Sequence, residues 1–184
     1  MTSPVAPASA TLWEVDPAHS LVEFSVRHMM VATVKGRFTR LSGRILEVAD
    51  DPSHSSVQAT IDASSVDTHD ERRDAHLKSA DFLDVEHFPT ITFSSTRVEP
   101  LGADRLRITG DLTIRGQSRP ITFEATLNGR GTTPFGTEIA GFSAEAQLNR
   151  KDWGLDWNVA LETGGFLVGD SIKITLELEA INKS

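Results

Sequence analysis

The feature that most constrains this chain is an alternation of apolar and polar residues with period two, repeated from Thr11 almost to the C-terminus. Successive side chains of an extended strand point to opposite faces, so the pattern gives each strand one apolar and one polar face. Val22, Phe24, Val26 and His28 oppose Glu23, Ser25 and Arg27, and Val34, Gly36 and Phe38 oppose Lys35, Arg37 and Thr39. The same parity runs through Val57, Ala59, Ile61 and Ala63, then Ile91 and Phe93, then Leu106, Ile108, Gly110, Leu112 and Ile114. Ile121, Phe123, Ala125 and Leu127 continue it, followed by Ala140, Phe142, Ala144, Ala146 and Leu148. Ile172, Ile174, Leu176, Leu178 and Ala180 close the series that Trp13 and Val15 open, which makes about eight or nine strands.

Turn-forming residues separate the runs at Arg115-Gly116-Gln117, Asn128-Gly129, Gly131 to Pro134 and Asp50-Asp51-Pro52. Short links make neighbours antiparallel, and many long one-faced strands leave costly edges unless the sheet closes on itself. The expectation is a single all-β antiparallel eight-stranded barrel over residues 11–182, preceded by a flexible tail at 1–10, MTSPVAPASA. One segment, Asp67 to Lys78, lacks the alternation, and Thr68 stands three residues before Glu71 as in a capping box. A helix over 67–79 is expected across one barrel mouth. At about 100° per residue His69, Arg72, Arg73 and His76 share one stripe of it, and Asp70, Glu71, Asp74 and Lys78 the other.

Composition removes whole classes of function. With no cysteine the chain has no disulfide, thiolate nucleophile, zinc ribbon or iron–sulfur cluster. A formal charge of -8 opposes broad nucleic-acid binding, which needs clustered Lys and Arg to release phosphate counterions. The first ten residues lack a basic, apolar leader and no run reaches transmembrane length, so a cytoplasmic chain is expected.

The inward parity mixes large residues with Gly36, Ala59, Ala63, Gly110, Ala125, Ala140, Ala144, Ala146 and Ala180. An eight-stranded barrel is near the size at which side chains either fill the interior or leave room for one ligand. Two readings follow: an apolar cavity for a hydrophobic chain, or a packed core in which Phe24, Phe38, Phe93, Phe123 and Phe142 occupy the space the small residues vacate.

Several stretches resemble the YceI-like, polyisoprenoid-binding family. They are Asp16-Pro17-Ala18-His19-Ser20 with Val22-Glu23-Phe24, Gly36-Arg37-Phe38, Val66-Asp67-Thr68 with Arg72 and Arg73, and His76-Leu77-Lys78-Ser79-Ala80-Asp81-Phe82. Further ones are Phe88-Pro89-Thr90-Ile91-Thr92-Phe93, Gly110-Asp111-Leu112-Thr113-Ile114-Arg115-Gly116 with Pro120-Ile121, Asn149-Arg150-Lys151-Asp152-Trp153-Gly154, and Val168-Gly169-Asp170. The resemblance implies a lipocalin-like barrel whose tunnel holds an isoprenoid or another long amphiphile, often in a homodimer. Many members are exported to the periplasm, and this chain departs from them in showing no signal.

Other chemistry is weakly signalled. Asp67, His69, Asp70, Asp74 and His76 invite a metal, but His69 and His76 are seven apart and no His-Glu-x-x-His occurs, so no metal is expected. No Gly-x-Ser-x-Gly elbow, P-loop or dinucleotide fingerprint is present, and Gly164-Gly165 reads as a turn. Trp153 and Trp157 either stack on a ligand or plug a barrel end. The stripe of His69, Arg72, Arg73 and His76 either meets a polar head group or pairs with neighbouring acids.

The expected function is a non-enzymatic carrier or store, without cofactor, for a long amphiphile such as an isoprenoid quinone or polyprenyl phosphate. Its expected wall comprises Phe24, Val26, His28, Phe38, Ala59, Ile61, Phe93, Ile108, Gly110, Leu112, Phe123, Ala125, Phe142, Ala144, Trp153, Ile174 and Leu176, with the helix stripe at the mouth. The alternatives are an enzyme acting on such a lipid through His and Asp at the mouth, and a dimeric interaction module with a filled barrel.

Overall fold

In the computed structural model, which describes residues 9–184, the alternating runs become eleven strands of one antiparallel sheet. They are β1 (Ala10–Val15), β2 (Leu21–His28), β3 (Ala32–Phe38), β4 (Leu41–Val48), β5 (Ser56–Asp62) and β6 (Val66–Asp67). After the helix α1 (Glu71–Lys78) come β7 (Thr90–Pro100), β8 (Arg105–Ile114), β9 (Gln117–Thr132), β10 (Glu138–Asn149) and β11 (Val168–Asn182). Residues 1–8 of the expected tail lie outside the described residues, and Ala10 already belongs to β1.

The ring β1-β4-β5-β7-β8-β9-β10-β11 closes where Trp13 to Val15 of β1 pair with Asn182 to Ala180 of β11. Further along the same β11, Glu177 to Ile172 pair with Leu21 to Val26 of β2. β1 and β2 are therefore successive halves of one long strand, as are β3 with β4 and β5 with β6, since β2 pairs β3 and β3 pairs β6. Eight long strands result, closed as expected, and the first three are each broken once. The breaks are a 3-10 turn at Pro17–His19, the link at 39–40, and a 3-10 turn at Ala63–Ser65. Asp16 and Asp62 cap the two turns by accepting from the backbone N–H of Ala18 and Ser64. Thr39 and Arg40 donate their backbone N–H to Ser65 O and Oγ, so the broken strands stay stitched at that level.

Two bulges revise the sequence reading. Between Ser95 and Arg97 the β7 register slips, which turns Val98 inward after Ile91 and Phe93. Gly141 pairs Gly129 while Phe142 pairs Leu127, leaving Asn128 as the extra residue. Asn128-Gly129 is thus a bulge inside β9 rather than a turn, and the chain reverses later, where Thr133 N–H donates to Thr137 O. Arg115 (φ 50°) and Gly116 (φ 70°) form the expected two-residue turn. Met29 (φ 50°) and Met30 (φ 61°), with Val31, form a three-residue link between β2 and β3 that no Gly or Asn announces.

The helix is shorter than expected. Its cap is Asp70, which accepts from the backbone N–H of Arg72 and Arg73, and Thr68 bonds Asp74 instead of making a box with Glu71. α1 lies across the end of the barrel where β2, β6, β8 and β10 finish, here termed the helix end. At the opposite, far end lie the β4–β5, β7–β8 and β9–β10 turns.

Candidate binding cavity

The barrel is hollow, with a cavity of about 700 Å³. Its wall runs from Leu77, Leu155 and Leu167 at the helix end to Val48, Ala49 and Ala103 at the far end. Phe24, Phe38, Ile61, Phe93, Leu106, Ile108, Ile172, Ile174 and Leu176 keep accessible surface although they point inward, because nothing fills the space before them. Small residues at Ala59, Ala125 and Ala144 widen the bore. The filled-barrel reading fails on this geometry.

Of the residues expected to meet a ligand, Phe24, Val26, His28, Phe38, Ala59, Ile61, Phe93, Ile108, Leu112, Phe123, Ala125, Phe142, Ala144, Ile174 and Leu176 stand on the wall, joined by Arg73 and His76. His69, Arg72, Gly110 and Trp153 stand off it. His69 precedes the helix at φ 60°, so the four-residue stripe does not form, and Arg72 is turned to solvent. Gly110 packs under the β7 bulge, where a Cβ would meet Phe93 Cζ at 2.6 Å and Ser95 Cα at 2.7 Å. Trp153, 3% exposed, donates its indole N–H to Leu112 O at 2.8 Å within a solid cluster with Ile114, Leu148 and Leu155.

At the helix end His76 bonds Asp81 (2.9 Å), and its ring meets Phe82 and Trp157 edge-on at 5.0 and 4.5 Å. Arg73 donates Nε to Thr68 Oγ1 and Nη2 to Thr68 O, each at 2.8 Å. Arg150 is the deepest charge, 2% exposed and on the wall. Its guanidinium holds the following loop by donating to the carbonyls of Gly169 (2.8 Å), Trp157 (2.9 Å), Leu155 and, more distantly, Val168 (3.4 Å). Burial lowers its pKa from the usual arginine value, against the attraction of Asp170 and Asp156. Exposed Met29, Met30, Val31, Val159 and Phe166 surround this end, and Met29 N–H donates to Leu167 O.

The far end is built differently. Trp13 donates its indole N–H to Glu47 (2.9 Å), and Arg130 pairs with Glu47 while lying over the Trp13 ring at 5.2 Å. Sequence reasoning missed this trio, and it also missed Arg150 as a wall residue. The signal for Arg150 was present, because its number continues the inward parity of Ala144, Ala146 and Leu148.

The helix-segment histidines do not gather into one ligand set: His69 lies 3.6 Å from Asp67, whereas His76 faces Asp81. Among the described residues the metal-ligating side chains that converge are Asp16, His19 and Glu179, on the outer wall at the first strand break. These already pair, His19 Nδ1 lying 2.7 Å from Asp16 and 3.7 Å from Glu179. The hydrogen bond to Asp16 raises the His19 pKa, and the same contact lowers that of Asp16.

Residues 13–180 match the family model described as the YceI-like domain. The chain belongs to the YceI-like family. This YceI-like chain is 42% identical over 165 residues to protein YceI of Salmonella newport, covering 90% of this chain and 83% of that one. Burkholderia cenocepacia BcnA is similar in structure, with TM-score 0.76 at 25% identity over 90% of this chain and 98% of that one. A Saccharophagus degradans domain described as polyisoprenoid binding is 14% identical with TM-score 0.63, over 91% and 97% of the two chains, a likeness of fold. Among the described residues no helix is long and apolar enough to cross a membrane.

Proposed function

We propose that this YceI-like protein binds the apolar chain of a long amphiphile, an isoprenoid quinone or a polyprenyl phosphate, inside its barrel, and carries or stores it without chemical change. The observation that carries this reading is the hollow, apolar-walled bore. The binding described for the Saccharophagus degradans barrel is consistent with it. Each methylene taken from water contributes about 0.8 kcal/mol, offset by the ordering of a flexible chain, so a long tail in a preformed bore binds without any covalent step. A working homodimer belongs to the same proposal and is read out by light scattering.

Gentle purification, organic extraction and mass spectrometry test the reading. A stoichiometric isoprenoid or other long-chain lipid is expected. Recovery of none, together with no uptake of added isoprenoid by the delipidated protein, overturns it.

A further inference from the structure

The wall of the cavity is electrically lopsided. Arg27, His28, Arg73, His76 and Arg150 line it at the helix end. Its carboxylates lie elsewhere: Glu47 and Asp104 at the far end, and Glu23 midway along β2, paired with Lys35. The counter-charge of Arg150 is long and shared. The nearest carboxylate, Asp170, is 3.7 Å away, half in water, and closer to Lys151 at 3.4 Å. Carbonyl dipoles satisfy Nε and Nη1, while Nη2 has two long contacts, to Val168 O at 3.4 Å and to Asp170 at 3.7 Å. Arg73 leaves Nη1 without an acceptor among the described residues. A buried cation whose neighbouring anion is half in water and shared with a lysine is incompletely compensated, and in a low-dielectric bore it favours whatever negative charge enters.

We infer that the helix end of the tunnel is an anion site, in which Arg150, assisted by Arg73, receives the negatively charged head group of the bound amphiphile while its tail runs toward the far end. The shared chemistry is a carboxylate or phosphate, both of which match the planar guanidinium fork. This rests on the tail-binding reading above and adds the charge class and the direction of the ligand.

Calorimetric titration of the delipidated full chain with dodecanoic acid, dodecyl phosphate and dodecan-1-ol, below their aggregation concentrations, tests it. At least one anion is expected to bind tenfold or more tightly than the alcohol, with little change between low and high salt because the charge is buried. Which anion prevails assigns carboxylate or phosphate. Asp170→Asn, a change at an exposed side chain off the wall, is expected to tighten the preferred anion by twofold or more and leave the alcohol unchanged. Arg150→Met, its fold checked by circular dichroism, is expected to abolish the anion preference, and Arg150→Lys to restore part of it. Equal binding of all three compounds by the natural chain overturns the anion site and leaves tail binding intact. Entry by none of them overturns tail binding, and the anion site with it.

Discussion

The two ends of the barrel solve the same problem, closing a hollow sheet, by different means. At the far end a base and an acid, Arg130 and Glu47, neutralise each other beside Trp13, and the links 49–55, 101–104 and 133–137 join the strands. At the helix end a solid plug under Trp153, the helix α1 and the loop held by Arg150 do the closing, and the positive charge of Arg150 is met only by a long contact to Asp170, which Lys151 shares. Polarity along the bore therefore follows from how unevenly charge is compensated at the two ends. Net charge, which is -8, gives no hint of a cationic tunnel end.

The sharpest test of this contrast is stability. Trp153 belongs to the larger apolar cluster and stands off the cavity, whereas Trp13 borders the cavity and packs on the small residues Ala140 and Ala180. Trp153→Ala is expected to cost about 3–5 kcal/mol in denaturant unfolding, and Trp13→Ala less, because the buried cluster around Trp13 is smaller and opens on the cavity. Equal losses would mean that both ends are packed alike.

Midway between the ends, Ala144→Trp is expected to reduce uptake of a long-chain lipid tenfold or more at a stability change of no more than about 1–3 kcal/mol, since added volume enters empty space before it strains the wall. Unfolding with unchanged binding per folded molecule would show the bore to be full. At the far end, Glu47→Gln removes the partner of Arg130 in a part-exposed pair and is expected to shift stability by about 1 kcal/mol or less. Dodecan-1-ol affinity is expected to hold, and a large fall in it would place the head group at that end instead.

The smallest effect lies outside the bore, at the strand break. His19 is expected to titrate, by nuclear magnetic resonance, above the ordinary histidine value of about 6.5, and Asp16→Asn to bring it back down. The sign follows from a raised folded-state pKa: the contribution of the His19–Asp16 contact is fully present below about 6.5 and fades as pH rises through the higher folded value. An unshifted His19 resonance would leave the break held by the Asp16 cap, the Ser20 hydroxyl and backbone bonds, without His19.

Strand parity was the most legible property of the sequence, because a period of two leaves no choice of face once one side is buried. It placed Phe24, Ile108, Phe123 and Ile174 on the wall. Parity failed where the register changes. Asn128-Gly129 has the composition of a turn yet forms a bulge, and only pairing across to Gly141 and Phe142 shows it. Gly110 has the right parity but lies under the β7 bulge, where Ser94 and Ser95 press against it. The helix stripe failed for another reason: Asp70 captures the cap and Asp74 captures Thr68, so the helix starts too late to include His69. Whether the interior was filled depends on how far apart opposite walls stand, which is set by closure and not by any local pattern. Arg150 was missed because a charged residue at the end of a strand reads as exposed.

The double use of β11 has a consequence for the order of events during biosynthesis. Its 15 residues pair with β10 on one side and with both β1 and β2 on the other, and those partners are separated from it by most of the chain. The hairpins from β7 to β10 involve short separations, whereas the N-terminal strands must wait with one edge bare until β11 is made. Until Val168 to Asn182 have left the ribosome, the nascent chain is an open sheet whose inner face lies in water, a form prone to pair with other chains. Ring closure therefore waits for β11, and a truncation that removes β11 is expected to yield an aggregating sheet in place of a smaller barrel.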